Sequence, residues 1–391
     1  MPISAAALAH IEQVAASLHG RKASTSLAGG AAARVDPRIL ADAVSELSRV
    51  YTRERGQMAK LDKRSLLARA GFFFPRDLPK IFGPLDELVW AGLAPDKAEL
   101  RVLDVGAGLG ATSFGLARWL RLRGRPVQSL RVVALEHNAP ALHGFQSFVR
   151  AFSELPDEFV PIALEARAED LRSLRSAEKF DLIMFGFVLN ELFLELPEPE
   201  RAQRRAEILL DASTRLTPGG AILLLEPALK ETTRELMQVR DVLAARAGAP
   251  FVIAPCLHAL ACPMLPSERD WCHQELAYAL PPPLADVARA ASLRYEGLSY
   301  ASLVLANSPR PTLPAHSYRI VSDRLASKGK LELYGCSEAG YTRLTRLDRH
   351  ASEHNRPFES ARRGHVLTVA TSSPRIDADT KVERADEPPR N

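Results

Sequence analysis

The chain has four cysteines, and three of them crowd together. Cys256, Cys262 and Cys272 fall within 17 residues, in APCLHALACPMLPSERDWCHQEL, and Cys336 follows 64 residues after Cys272. Thiols distributed at random through a core would scatter. Thiolates that converge in a reducing compartment bind metal, because soft, negatively charged sulfur is the ligand that iron and zinc prefer. The short Cys-x2-Cys knuckle of structural zinc sites is missing. Uneven spacing with one distant ligand suits an iron–sulfur cluster on four thiolates. Zinc is the alternative, and unliganded core thiols are the third reading. His258 and His273 are spare ligands, Pro255 and Pro263 stiffen the stretch, and Trp271 can cover it from water. A second constellation lies about 150 residues earlier. LDVGAGLGATS sets Asp104 before Gly106, Gly108 and Gly110, a spacing that lets backbone turn tightly and approach a ligand without a Cβ in the way. Glu136, in VVALEHN, ends the next apolar run, where a carboxylate can accept both hydroxyls of a ribose.

These residues need a scaffold to deliver them. From Leu100 onward, short apolar runs alternate with amphipathic helices. Strands are expected at 101–106, 131–136, 160–164, 180–186 and 221–227, and helices near 111–122, 139–153, 198–215 and 230–246. This alternation predicts a parallel sheet covered on both faces, with ligands at the carboxyl ends of its strands. YEGLSYASLVLAN and SYRIVSDRL read as strands that close the sheet with an antiparallel edge. Upstream, Ile39, Ala43, Val44, Leu47 and Val50 share one helix face, and Pro75, Pro79 and Pro84 break the apolar stretch that follows. KGKLELYGC and GYTRLTRL form two strands around a turn near 337–340, and HVLTVAT adds a third. The expected organisation is a flexible N-terminus (1–35), a helical module (36–95), an α/β domain (96–310) with a Cys-rich insertion (251–283), a basic β module (311–370) and a disordered tail (371–391).

The tight spacing in D-V-G-A-G-L-G resembles the first motif of class I S-adenosylmethionine methyltransferases. FDLIMFGFVLNEL is similar to their fourth motif, and LTPGGAILLLEP to the turn and strand after it. The resemblance implies a Rossmann-like sheet with S-adenosyl-L-methionine as cofactor. Asp104, Gly106, Gly108 and Gly110 would line its methionine end, Glu136 would hold the ribose, Asp170 would approach the adenine, and Asn190 would stand beside the pocket. No catalytic residue emerges. Base-amino methylation uses an Asn/Asp-Pro-Pro-aromatic motif after the fourth strand, and Leu189-Asn190-Glu191-Leu192 stands there instead. Cytosine C5 methylation needs a nucleophilic cysteine, but Pro255-Cys256 lies a whole helix beyond the fifth strand. Asn190 and Glu191 equally suit a cap for the next helix.

P-C-x-H, then C-P, then D-W-C-H, behind that motif set, resembles the ribosome-associated methyltransferase-like family, whose mitochondrial members assist assembly of the small ribosomal subunit. R-I-V-S-D, K-G-K, L-Y-G-C and A-R-R-G extend the resemblance, which spans residues 65–370. It implies a 4Fe–4S cluster on Cys256, Cys262, Cys272 and Cys336, S-adenosylmethionine binding with little or no transferase activity, and association with the small ribosomal subunit or its rRNA. The alternative function is an active S-adenosylmethionine-dependent rRNA methyltransferase. Radical S-adenosylmethionine chemistry fits poorly, because a fourth cysteine is available and the cofactor turn is remote from the thiols.

With 391 residues, 46% apolar and 25% charged, the chain can bury a sizeable core, which excludes wholesale disorder. No run of 18 uncharged apolar residues occurs, so no membrane span is expected. The net charge of +4 is too small to mark a nucleic-acid binder by itself, but its distribution is uneven. Between Arg310 and His365 stand 11 basic and 6 acidic residues, leaving about −1 for the rest. Arg319, Arg324, Arg343, Arg346, Arg349, Arg362, Arg363, Lys328 and Lys330 are therefore expected to meet rRNA phosphates, with Cys336 tethering this module to the core. The N-terminus lacks a secretory pattern. Ala-, Arg- and Leu-rich text points to a bacterial cytoplasm, with the mitochondrial matrix as the alternative and a monomer expected off the ribosome.

Overall fold

The computed structural model describes residues 2–20, 35–53, 62–169, 178–248 and 250–386. Helix α1 (Ala5–Leu18) is capped by Ser4, whose Oγ accepts from the Ala7 amide at 3.1 Å. Its Ala7, Ile11 and Val14 enter the main core. Part of the segment expected to be flexible is thus a docked helix: an alanine-rich face buries without any conspicuous apolar run. Helix α2 (Pro37–Arg53) carries the expected face, with Val44 and Leu47 buried.

The proline-rich stretch is an almost unbroken helical path. It runs through α3 (Lys63–Ala68), a π turn (Arg69–Phe73), α4 (Phe74–Asp77), a 3-10 turn (Leu78–Ile81) and α5 (Phe82–Trp90). Pro75 and Pro79 sit in the first turn of their pieces, where a missing N–H costs least, so they change the helix type rather than end it.

The α/β unit follows as β1 (Glu99–Val105), α6 (Ala111–Leu122), β2 (Ser129–Leu135), α7 (Ala139–Phe152), β3 (Ile162–Arg167), β4 (Phe180–Gly186), α8 (Glu198–Ser213), β5 (Leu216–Glu226), α9 (Lys230–Ala244), β6 (Phe251–Ala254), β7 (Gln274–Ala279), α10 (Pro282–Ala290) and β8 (Glu296–Ala306). The sheet order is β3-β2-β1-β4-β5-β8-β6, with β7 also on β8. β1 to β5 are parallel, and β8 runs antiparallel to β5 and β6. This is the class I methyltransferase sheet that the sequence predicts. Its strands bury both faces in separate cores, which is why they read as continuous apolar runs. β8 lies inside the sheet rather than at its edge.

The second sheet comprises β9 (Ser317–Ile320), β10 (Leu325–Ser327), β11 (Lys330–Ser337), β12 (Gly340–Leu347), β13 (Val366–Val369), β14 (Arg375–Ile376) and β15 (Val382–Arg384), with the short α11 (Arg356–Ser360) after β12. SYRIVSDRL therefore belongs here and not to the first sheet. The order is β14-β12-β11-β9-β13-β15, with β10 on β11. The tail expected to be disordered supplies two of these strands, and Ile376 and Val382 close their own small core. Among the described residues no helix is long and apolar enough to cross a membrane.

Candidate functional site

The glycine turn lies between β1 and α6. Asp104 is fully buried and accepts from Thr112 Oγ1 at 2.8 and 3.0 Å and from Ser113 Oγ at 2.6 Å. Burial pushes its carboxyl up to about 6, against the pull of those hydroxyls. Both oxygens are committed to the first turn of α6, so Asp104 braces the turn from behind. Gly106 and Gly110 have φ of +67° and +85°, and a Cβ would strike Val188 and Phe145 respectively. Gly108 differs: its φ is +52°, and a Cβ there would meet nothing within 4 Å. Its amide donates to Glu136 Oε2 at 3.0 Å, while Glu136 Oε1 accepts from the Asn138 amide at 2.9 Å. Glu136, just after β2, is thus tied to the glycine turn at Gly108, whose Cβ side is open. Asp170 lies outside the described residues.

After β4 the backbone turns through Phe187, a non-glycine residue at φ +61°, and a 3-10 turn (Leu189–Glu191). Such an outlier is held by its surroundings, here beside the proposed pocket. Asn190 Nδ2 donates to Glu226 Oε2 at 2.5 Å, and its amide to Glu226 Oε1 at 3.2 Å. Arg205, only 2% exposed, donates to the Asn190 and Leu192 carbonyls and pairs with Glu235 at 2.8 Å. Glu226 is a site residue that sequence reasoning missed. Its signal was an acid ending the otherwise apolar run AILLLEP.

Burial raises the Glu226 carboxyl to about 8, opposed by Asn190 and Arg205. A carboxyl that holds its proton more tightly when folded gives stability that is present below its unfolded value and lost as pH rises toward 8. Glu226→Gln lacks that loss. Its stability relative to the wild type is expected to climb between about pH 4.5 and 8, by about 1.4 kcal/mol for each tenfold difference in proton affinity. Urea unfolding across that range checks this, and a pH-independent difference would contradict it.

The thiols come from two places. Cys256, Cys262 and Cys272 lie on the loop from β6 to β7, and Cys336 comes from β11 of the second sheet. Cys262 and Cys336 are buried in one apolar cluster with Met237 and Met264, and Cys272, Trp271, Tyr334 and Tyr341 pack against it. Cys336 Sγ lies 3.8 Å from His258 Nε2. Burial pushes all four thiols up, Cys262 to about 11 and Cys272 to about 12, and neighbouring thiols push Cys262, Cys272 and Cys336 further. Such thiols stay protonated and inert unless a cation compensates their charge. Among the described residues, no three His, Cys, Asp or Glu side chains form a group that could hold one metal ion. Helix α9 grips the loop: Asp241 accepts twice from the Cys262 amide at 2.9 and 3.1 Å, and Arg234 donates to the Leu265, Ser267 and Asp270 carbonyls.

Two arginines expected on an RNA-facing surface are internal, and a third, Arg363, is half-buried. Arg319 is 3% exposed and pairs with Glu87. Arg346, 2% exposed, donates to Asn355 and Glu359. Arg363 donates to the Val321 carbonyl. Lys330 is half-buried beside Glu332. Arg324, Lys328, Arg343, Arg349 and Arg362 remain exposed.

Residues 93–365, from β1 through β12, match the family model described as the mitochondrial small ribosomal subunit Rsm22. The chain belongs to the Rsm22 family. No curated protein matches it in sequence. Solved structures similar to this chain include the following three. One is a SAM-dependent O-methyltransferase from Thermotoga maritima, with 15% identity, 58% of this chain and 66% of that chain covered, and a TM-score of 0.31. The second is an O-methyltransferase family protein from Burkholderia thailandensis, with 17% identity, 70% and 72% covered, and a TM-score of 0.35. The third is a human methyltransferase 10 domain containing protein, with 12% identity, 70% and 99% covered, and a TM-score of 0.36. At these TM-scores the strand order, rather than the likeness, defines the fold.

Proposed function

We propose that this chain binds S-adenosylmethionine at the glycine turn, carries a 4Fe–4S cluster on Cys256, Cys262, Cys272 and Cys336, and assists the small ribosomal subunit by laying its second sheet against rRNA. The observation that carries the reading is the burial of Cys336 with Cys262, with Cys272 packed against them, which joins a basic sheet to a nucleoside-type fold at one sulfur-rich point. The open side of Gly108, whose amide meets the Glu136 carboxylate, fits a ligand that bears a ribose. A lone zinc ion gathers its ligands tightly, and no such group stands among the described residues. The uneven spacing of the four cysteines, with one brought from the second sheet, is what favours iron–sulfur over zinc. When bound, S-adenosylmethionine supplies an activated methyl group. The Asn190 amide is committed to Glu226, which counts against amino-group methylation. The exposed Arg324, Lys328, Arg343, Arg349 and Arg362 are the phosphate contacts on this reading. The family's description supports the mitochondrial matrix over a bacterial cytoplasm.

The test uses full-length protein purified without oxygen. Expected are iron and sulfide in the wild type, S-adenosylmethionine binding by calorimetry, and salt-sensitive affinity for small-subunit rRNA. Gly108→Arg is expected to abolish cofactor binding and leave iron in place. Cys336→Ser is expected to lower iron content and RNA affinity together. Unchanged RNA binding by cluster-free protein would reject the coupling. Tritiated methyl transfer to the RNA, lost in Gly108→Arg, would move the reading to the active rRNA methyltransferase.

A further inference from the structure

A cluster of four thiolates keeps a net negative charge, and a buried anion needs charge or donors beside it. Three guanidinium groups surround these thiols. Arg319 donates to the Pro255 carbonyl next to Cys256, and Arg363 lies at Val321, which packs with Cys262 and Cys336. Both have other duties: Arg319 is matched by Glu87, and Arg363 donates to Val321 and faces Asp323.

Arg240 is the one of the three whose two amino groups both hold the cysteine loop. It projects from α9 and is 3% exposed. Its two amino groups donate to the His258 and Leu260 carbonyls, in the bend between Cys256 and Cys262, and Nη1 also pairs with Asp241 at 2.7 Å. Its Nε–H is buried and has no partner. Asp241 holds the Cys262 amide from the next position. One turn of α9 therefore holds the bend that joins Cys256 to Cys262, and its cation grips the backbone of His258, whose ring lies 3.8 Å from the thiol of the second sheet.

We propose that Arg240 is the positioning residue of the thiolate centre, fixing the 258–260 bend with its amino groups and offering its spare N–H and its charge to the Cys256 sulfur. The inference rests on the four-thiolate reading above. Hydrogen bonds to cluster sulfurs and nearby positive charge favour the reduced state. Partners behind the ligands commonly hold metal 10–100-fold more tightly. The fork and the charge are separable: lysine keeps the charge but cannot span two carbonyls.

The experiment compares full-length wild type, Arg240→Met and Arg240→Lys, each reconstituted without oxygen using ferrous iron and sulfide. Iron and sulfide per chain, iron retention against a chelator, and the midpoint potential from an optical redox titration are read. Arg240→Met is expected to shift the oxidised-to-reduced ratio about tenfold toward the oxidised form, which is 59 mV for a one-electron couple, and to lose iron about 10–100-fold more readily. Arg240→Lys is expected to restore the potential but not the retention. A wild-type potential in fully loaded Arg240→Met would overturn the proposal and leave Arg240 a loop clamp. If Arg240→Met takes up no iron, Arg240→Lys decides. Loading with a wild-type potential supports the charge role, and failure to load overturns it. A wild type that binds neither iron nor sulfide overturns the centre itself and this inference with it.

Discussion

Glu87→Ala is expected to cost about 3–5 kcal/mol of stability, the usual penalty for removing one partner of a buried ion pair. Glu87, on α5, accepts from Arg319 Nη1 at 2.6 Å and Nη2 at 2.8 Å, and lies 3.5 Å from Arg310 Nη2. Arg319 also donates to the Pro255 carbonyl at 2.9 Å and to Gly364, so one guanidinium ties the helical path, the cysteine loop and the second sheet together. Both arginines lie over the Trp90 ring, with centroid distances of 4.1 Å for Arg310 and 5.7 Å for Arg319. Burial, then repulsion from Arg319, already lowers Arg310 to about 10, and two of its N–H groups have no partner. Without Glu87, two desolvated cations face each other. Urea unfolding measures the loss. Replacing the closer pair, as in Glu87→Leu with Arg319→Met, is expected to recover only part of it, because apolar packing can equal a buried ion pair but Arg310 still lacks its carboxylate. A single variant within about 0.5 kcal/mol of wild type would show that this joint is not held electrostatically. Because Arg319 on β9 stands opposite Cys336 on β11, the joint also fixes where the last thiol sits.

Sequence reasoning reached the first sheet because each strand is an apolar run between helices, and the helix over 111–122 is where periodicity put it. It missed what depends on partners far along the chain. Nothing around Arg319 signals a carboxylate 232 residues away, so its charge read as surface. β14 and β15 are two- and three-residue strands whose order comes from their pairing with β12 and β13. Local propensity carries no trace of such pairing. Asn190 was legible as a polar residue after the fourth strand, but its partner Glu226 lies on the next strand. The sequence singled out neither Arg234 nor Arg240, and only the fold turns them onto the cysteine loop.

The glycine turn allows a sharper separation of folding from binding than its regular spacing suggests. Gly110→Ala is expected to destabilise the protein by roughly 2–5 kcal/mol, combining about 1–2 kcal/mol for a side chain in the left-handed region with about 1–3 kcal/mol for overpacking. A Cβ at Gly110 would stand 2.4–2.6 Å from three atoms of the Phe145 ring. Phe145 cannot retreat cheaply, because it is fully buried, edge-on to Phe114 at 5.5 Å, within the aromatic stack that joins α6 and α7. Gly108→Ala is left-handed too, but its Cβ enters open space, so about 1–2 kcal/mol is expected. Ligand binding inverts the order. The methyl group at Gly108 projects into the proposed cofactor hollow, while the one at Gly110 points into the core. Folded Gly110→Ala is therefore expected to bind S-adenosylmethionine better than Gly108→Ala does, despite its lower stability. Denaturation midpoints and calorimetric titration of the two proteins give both rankings. Equal destabilisation would mean that Phe145 yields freely, and equal affinity would mean that the ligand does not pass Gly108.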